Sequence, residues 1–333
     1  NLTFCRRKIK LSNKLWKKKK KNHRLYRKGD NMPTIGLIKG LLYYRYETLW
    51  KSFFDILKIP YQESKNSTLK TLELGKNKCV DETCLSLKLF IGHIEQLKHH
   101  CDLILIPRIF SLEKKEQVCT NFNALYDIVR NLYPERTILH YNIDVKRNDT
   151  EEKAFLFLGK QLGLKKEKVL AAYKIAKTKE LEEQKRKELK GQKKLTAKKK
   201  KILLLGHPYN IKDPLIGKRV IAYLQKQNIE ILYEEEMPRD QINKYIKKIS
   251  PRVHWTMNKE LLAAFAYFKD KVDGTIVITA FPCGPDSLSN EMILRKRETQ
   301  KVLLLTFEDL TSDVAIITRL ESFMDMLKGG IHL

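Results

Sequence analysis

The sequence predicts an α/β protein of two domains, each an open sheet of parallel strands with helices on both faces. Two observations carry this. Short Leu-rich or β-branched runs alternate with longer stretches of helical period along most of the chain, and one highly charged stretch divides the alternation into two parts of similar length. Strands that alternate with helices in this way pair in parallel, and each part is long enough to bury a core.

Taken in order, strands are expected at 34–38, 59–62, 102–106 and 136–140 in the first part, and at 202–206, 229–233, 274–279 and 301–306 in the second. Helical spacing covers about 41–57, 84–98, 121–131 and 151–163, then 215–227, 257–269, 286–296 and 312–327. Both parts therefore read as Rossmann-like domains. In such sheets ligands bind beyond the carboxyl ends of the strands, so the residues that follow each strand are the ones to search.

The chain has 66 Lys and Arg against 39 Asp and Glu, a formal net charge of +27. Residues 1–31 hold +12 of it and residues 165–201 hold +11, so the rest of the chain is close to neutral. The expected organisation is a basic tail at 1–31, a first α/β domain at 32–164, a charged helical connector at 165–201 and a second α/β domain at 202–333. In the tail, Arg27-Lys28-Gly29-Asp30-Asn31-Met32 back-translates to a purine-rich run ahead of an ATG, which makes Met32 the expected start of translation. Tryptic peptides from residues 1–23 in the native protein would overturn that reading.

In the connector, Glu182 with Arg186 and Glu183 with Lys187 have the i,i+4 order that supports an exposed helix. Its beginning (Val169, Leu170, Ala172, Tyr173, Ile175 and Ala176) can pack on a domain, whereas its end, around Gly191 and Lys198–Lys201, is expected to fray. Few aromatic residues are interleaved with the lysines, so a solvated spacer fits better than a nucleic-acid-binding helix. Nucleic-acid binding through the basic segments stays as a rival class, and the near-neutral body argues against it.

Several classes are excluded. With 42% hydrophobic residues, 14 Gly and 10 Pro the chain is neither collagen-like nor mainly disordered. No apolar run approaches the length that spans a bilayer, so no membrane partner is expected, and the location expected is cytoplasmic. The sequence lacks G-x-x-x-x-G-K-[ST], G-x-G-x-x-G, H-E-x-x-H, G-x-S-x-G and paired C-x-x-C. ATP hydrolysis by a P-loop and the common zinc and hydrolase chemistries have no signature here.

The cysteines carry more. Cys283 lies just past the strand at 274–279, before a helix that Pro285 can open at its first position. Cys84 is placed in the first turn of the helix at 84–98, with Asp81 or Thr83 as its cap. Cys119 follows the strand at 102–106 through a long loop, Pro107 to Val118, and directly precedes another helix. Three thiols at helix amino termini suit a metal or iron–sulfur ligand set, because the free N–H groups there stabilise a thiolate. Cys79 is close enough in sequence to Cys84 to supply a fourth ligand, and Cys101, at the opposite sheet edge, reads as packing. A buried small residue remains the alternative for each.

These residues belong to a wider pattern. Val80-Asp81-Glu82-Thr83-Cys84-Leu85-Ser86-Leu87-Lys88-Leu89 with Gly92-His93, Pro107-Arg108 with Cys119, Gly206-His207-Pro208-Tyr209-Asn210, Phe281-Pro282-Cys283-Gly284-Pro285-Asp286-Ser287 and Thr318-Arg319-Leu320-Glu321-Ser322-Phe323 together resemble the acyl-CoA dehydratase activase-related proteins. These are similar to the small subunits of 2-hydroxyacyl-CoA dehydratases and benzoyl-CoA reductase. The resemblance spans Pro33 to Lys328 and departs at Leu310, where similar proteins commonly carry His.

The resemblance implies a [4Fe-4S] cluster in the interdomain cleft, held by Cys84, Cys119 and Cys283, with one iron left for a non-protein ligand. It further implies low-potential one-electron transfer with an ATP-hydrolysing, actin-fold activase or a related dehydratase subunit, in anaerobic chemistry. A catalytic subunit acting on an acyl-CoA or another small molecule is the alternative. His207, Asp286, Lys88 and His93 are the expected residues around the cluster. Each also has a plain structural reading, as a turn anchor, helix cap, solvated cation or core residue.

Overall fold

Eight parallel strands form two separate sheets, and their order decides where a ligand can bind. The computed structural model describes residues 31–308, 310 and 312–329. The basic tail and the start expected at Met32 turn on residues 1–30, which lie outside them. In the first half the elements are β1 (Ile35–Leu37), α1 (Tyr43–Leu57), β2 (Tyr61–Glu63), α2 (Leu69–Lys76), α3 (Leu85–Leu97), β3 (Leu103–Ser111), α4 (Thr120–Leu132), β4 (Ile138–Asp144) and α5 (Glu151–Gln161). The long helix α6 (Lys166–Leu195) follows. The second half has β5 (Lys201–Leu205), α7 (Pro208–Ile211), α8 (Gly217–Lys226), β6 (Glu230–Tyr233), α9 (Ile242–Tyr245), α10 (Thr256–Phe268), β7 (Gly274–Ala280), α11 (Gly284–Lys296), β8 (Val302–Phe307) and α12 (Val314–Lys328).

The sheets run β2-β1-β3-β4 and β6-β5-β7-β8, parallel throughout, giving two Rossmann-like domains. Strands buried on both faces need continuous apolar runs, and β7 (Gly-Thr-Ile-Val-Ile-Thr-Ala) is buried at every position. Each expected strand and helix is present, with two differences in extent. β3 and β4 run on to Ser111 and Asp144, paired in register through Pro107–Tyr141 and Arg108–Asn142, so the loop before Cys119 is shorter than expected. Proline interrupts a strand only where its N–H is needed for the ladder, and β3 tolerates Pro107. The helix α2 was not anticipated. Its glycine contacts explain it: a Cβ on Gly75 or Gly92 would stand 1.8 Å from the carbonyl oxygen of Lys88 or Thr71, so α2 and α3 touch backbone to backbone.

The connector differs most from expectation. α6 continues without fraying to Leu195, and Gly191 is buried where an added Cβ would lie 2.7 Å from the Glu236 carbonyl oxygen. Its amino-terminal part packs along α1 and buries Val169, Ala172, Tyr173 and Ala176. Its carboxyl-terminal part is fastened to the second domain by Lys187 to Glu235 (3.0 Å), Lys194 to Glu236 (2.6 Å) and the Gln184 amide donating to the Glu235 carbonyl (3.0 Å). It is a strap between the domains.

The domains are joined by buried and half-buried polar contacts as well. Arg45 of α1 makes a two-pronged contact with Glu260 of α10 at 2.7 and 3.0 Å. Burial works against charge on Glu260, yet Arg45 and Arg239 hold its carboxyl down at about 2. Ser67 and His93 of the first domain meet Asp213 of the second, all almost fully buried. Ser67 donates its hydroxyl proton to Asp213, so His93 must donate from Nε2 to Ser67 Oγ (2.9 Å) and is neutral. Burial, with Lys39 nearby, pushes the His93 imidazole down to about 4.

Two predictions follow for stability. The unfolded chain binds a proton at His93 near pH 6.5 while the folded chain does not until about pH 4, so this residue's contribution is intact above pH 6.5 and lost as pH falls from there. Comparing urea unfolding at pH 7 and pH 4.5, His93→Gln should abolish a loss of about 2.5 kcal/mol; an unchanged acid sensitivity would contradict the neutral buried imidazole. Separately, Gly92→Ala should cost about 3 kcal/mol, the upper end of overpacking, because α2 and α3 must part.

Candidate functional site

The strand order reverses direction between β1 and β3 in one sheet and between β5 and β7 in the other. Such a switch opens a crevice at the carboxyl edge, and here the two crevices meet in one cavity of about 210 Å³. Much of its lining comes from the residues after those four strands, namely Leu41 after β1, Val118 to Phe122 after β3, His207, Tyr209 and Asn210 after β5, and Pro282 to Asp286 after β7; Cys84 and Ser86 at the start of α3 and Trp255, Met257 and Asn258 at the start of α10 complete it. Leu41 sits at φ 46°, a strained backbone for a branched side chain, at the cavity wall.

Cys84, Cys119 and Cys283 all line this cavity. Each is the N-cap residue of its helix, of α3, α4 and α11 in turn. For Cys84 this corrects the expected placement inside the first turn: Thr83 closes a turn onto the Val80 carbonyl, and the sulfur itself stands at the cap. Pro285 lies at the second helical position rather than the first, after Gly284. The Leu85 N–H donates to the Phe281 carbonyl at 2.9 Å, which ties the Cys84 and Cys283 segments across the domain boundary.

The local electrostatics pull in two directions. Burial pushes all three thiols up, and Asp286 pushes Cys283 up furthest. Against this, the backbone N–H groups of Leu87 at Cys84, of Asn121 and Phe122 at Cys119 and of Asp286 at Cys283 favour the thiolate. The Asn121 side-chain amide also donates to Cys84 Sγ at 3.4 Å. Without a cation the thiols are neutral; with one, the donors for thiolates are in place.

Asp286 is almost fully buried and accepts from His207 Nε2 (2.8 Å) and Asn258 Nδ2 (2.8 Å), and the Cys283 thiol also donates to it. Burial opposes charge on both members of the pair, but each holds the other ionised, so His207 is raised and Asp286 lowered. The Tyr209 ring stacks on His207 at 5.0 Å between centroids and meets Phe122 edge-on.

The structure thus brings Cys84, Cys119, Cys283, His207 and Asp286 to one place. Three expected residues are elsewhere. Cys79 packs half-buried against the first-domain core, so it does not line the cavity. Lys88 donates to the Asp81 carbonyl at 2.7 Å, and His93 belongs to the Ser67–Asp213 clamp. Cys101 is buried against Gly36 at the far edge of its sheet. Asn121, Tyr209, Trp255 and Asn258 were missed as site residues, although three of them stand at helix amino ends that the periodicity locates.

Among the described residues, no three His, Cys, Asp or Glu side chains close on a point that a single metal ion could occupy. No helix among them is long and apolar enough to cross a membrane.

No curated protein matches the chain. Solved structures that align with it include "SBP FpvC" of Pseudomonas aeruginosa in complex with Ni2+, at 10% identity over 90% of this chain and 98% of that one, with a TM-score of 0.26. The same protein in complex with Mn2+ aligns at 11% identity over 89% of this chain and 96% of that one, with a TM-score of 0.26. The C-terminal domain of glucosamine-fructose-6-phosphate aminotransferase from Francisella tularensis aligns at 10% identity over 89% and 84%, with a TM-score of 0.22. Likenesses this slight carry no argument.

A family model matches residues 34–237, which takes in the first sheet, α6, β5 and β6 and so contains Cys84, Cys119 and His207, while Cys283 lies beyond it. The chain belongs to the family described as the CoA enzyme activase uncharacterised domain.

Proposed function

We propose that the protein holds an iron–sulfur group of the [4Fe-4S] type on Cys84, Cys119 and Cys283 and serves low-potential one-electron transfer, alongside the ATP-hydrolysing, actin-fold activase of a 2-hydroxyacyl-CoA dehydratase type of system. The observation that carries the reading is the meeting of three N-cap cysteines, from both domains, at one cavity. Buried thiolates need a partner of opposite charge, and a cluster with its thiolates is net negative, which helix amino termini stabilise.

Such a group, when bound, supplies a one-electron redox couple. The chain's own residues set its surroundings. The Asn121 amide and the backbone N–H groups of the three caps donate toward sulfur, which favours the reduced state. Cys283 gives up its thiol proton on ligation, with Asp286 as the adjacent acceptor. The Leu85–Phe281 backbone hydrogen bond and the Ser86–Asn210 hydrogen bond (2.7 Å) hold the two domains together beside the sulfurs. The family's link to CoA enzyme activation supports the partner. A catalytic subunit acting on an acyl-CoA is the second reading, favoured by the one cavity wall that has no cysteine.

Anaerobic purification with iron and sulfide analysis tests this. About four iron per chain is expected, with an EPR signal after reduction. Cys84→Ala, Cys119→Ala and Cys283→Ala should each lose most of the iron, and Cys79→Ala and Cys101→Ala should keep it. Iron-free anaerobic wild type sinks the proposal. In the metal-free protein, iodoacetamide should alkylate Cys84, Cys119 and Cys283 at pH 7.5 at least about tenfold more slowly than in the urea-unfolded chain, since burial suppresses their thiolates.

A further inference from the structure

Three walls of the cavity carry a cysteine and the fourth carries hydrogen-bond donors. That wall belongs to the second domain and is formed where α10 begins, beside Tyr209. The N-cap of α10 is Trp255, which makes no side-chain capping bond. The Thr256 N–H reaches the Gln117 carbonyl and the Lys259 N–H reaches the Trp255 carbonyl, but the N–H groups between them, of Met257 and Asn258, have no partner among the described residues. Orphan N–H groups occur at every helix start and alone point to nothing.

Two side chains make this start different. The Tyr209 hydroxyl and the Trp255 indole N–H both belong to residues that line the cavity, and neither has a hydrogen-bond partner among the described residues. Tyr209 is held in place by its stack on His207, which Asp286 fixes in turn. Its hydroxyl, with no partner among the described residues, is left to donate to a ligand in the cavity. The nearest carboxylate already accepts from other donors. Asp286 Oδ1 is shared by His207 and Asn258, and the Asn258 amide also reaches Ser289. Leu41, Val118, Met257 and Pro282 complete the lining with apolar surface.

Convergent unpaired donors beside a small apolar surface fit an oxygen anion on a short aliphatic chain. We propose that this wall binds a small carboxylate, with Tyr209 donating to one of its oxygens and the α10 amino terminus and Trp255 indole completing the contact. The inference rests on the cavity being the functional site, and not on which group the thiols hold.

The test uses the full-length, reduced, metal-free chain labelled with ¹⁵N and titrated with sodium butyrate against sodium chloride at equal ionic strength. Butyrate should shift the Trp255 indole N–H and the Met257 and Asn258 amide resonances saturably, and chloride should not. Tyr209→Phe should weaken the apparent affinity at least about tenfold while leaving the melting temperature within a few degrees. If that variant fails to fold, Trp255→Phe provides the same comparison. Absence of a saturable shift, an equal response to chloride, or unchanged affinity in the variants overturns the proposal. Iron content of the anaerobically purified protein, measured before the metal is removed for the titration, separates the two readings. Butyrate binding to a protein that never takes up iron leaves this site standing and removes the cluster, whereas full iron without butyrate binding does the reverse.

Discussion

All eight strands of this protein are parallel, and that constraint puts every strand's carboxyl end and every following helix's amino end at the same edge of its sheet. Facing two such edges at each other collects positive ends of helix dipoles in one small volume, with no regular structure available to neutralise them. α3, α4, α10 and α11 all start at this cavity. Such a place is unfavourable for a cation alone and favourable for anything with negative character. Thiolates around a metal group answer that demand, and so does a carboxylate. The cysteines at three of the four helix starts are thus the counterpart of a field that the topology creates.

Keeping two edges face to face requires the domains not to slide apart, and much of the chain's charge serves that end. The connector's lysines at 187 and 194 are bound to Glu235 and Glu236, Lys177 bridges Glu151 and Glu180, and the half-buried Arg45–Glu260 pair crosses the interface. Exposed pairs of this kind add little individually, whereas a buried pair is costly to break and so specifies one arrangement. A large net charge that suggests a nucleic-acid surface is, in the connector, partly spent on contacts within the molecule.

The fold was legible because strand and helix runs differ in period and because the parallel arrangement leaves few alternatives. The site was legible for the same reason. Cys84, Cys119, Cys283 and His207 each follow a strand or open a helix, and the topology alone brings such positions together. Lys88 and His93 were misjudged because they lie farther along α3, where one turn more or less decides whether a side chain faces the cavity or the neighbouring domain. The helix α2 and the unbroken α6 were missed for another reason. Both depend on glycines, Gly75 with Gly92 and Gly191, whose value lies in how closely another backbone approaches, and a sequence without its partner surface reads them as breakers.

The protonation of the three thiols also bears on how the site works. Cys84, Cys119 and Cys283 are each raised by burial, so without a bound metal group their sulfurs carry protons. On the proposed reading, occupation exchanges those protons for metal, which makes affinity rise with pH and ties it to closure of the interface that supplies both sets of ligands. Cys84 and Cys119 come from one domain and Cys283 from the other, so any group held by all three adds its binding free energy to the domain contact. The Leu85–Phe281 hydrogen bond and the Ser67–Asp213 clamp stand on the same interface. A domain opening wide enough to release the group must break them together, whereas a small ligand on the cysteine-free wall takes its hydrogen bonds from second-domain residues alone and holds no ligand bond that crosses the interface.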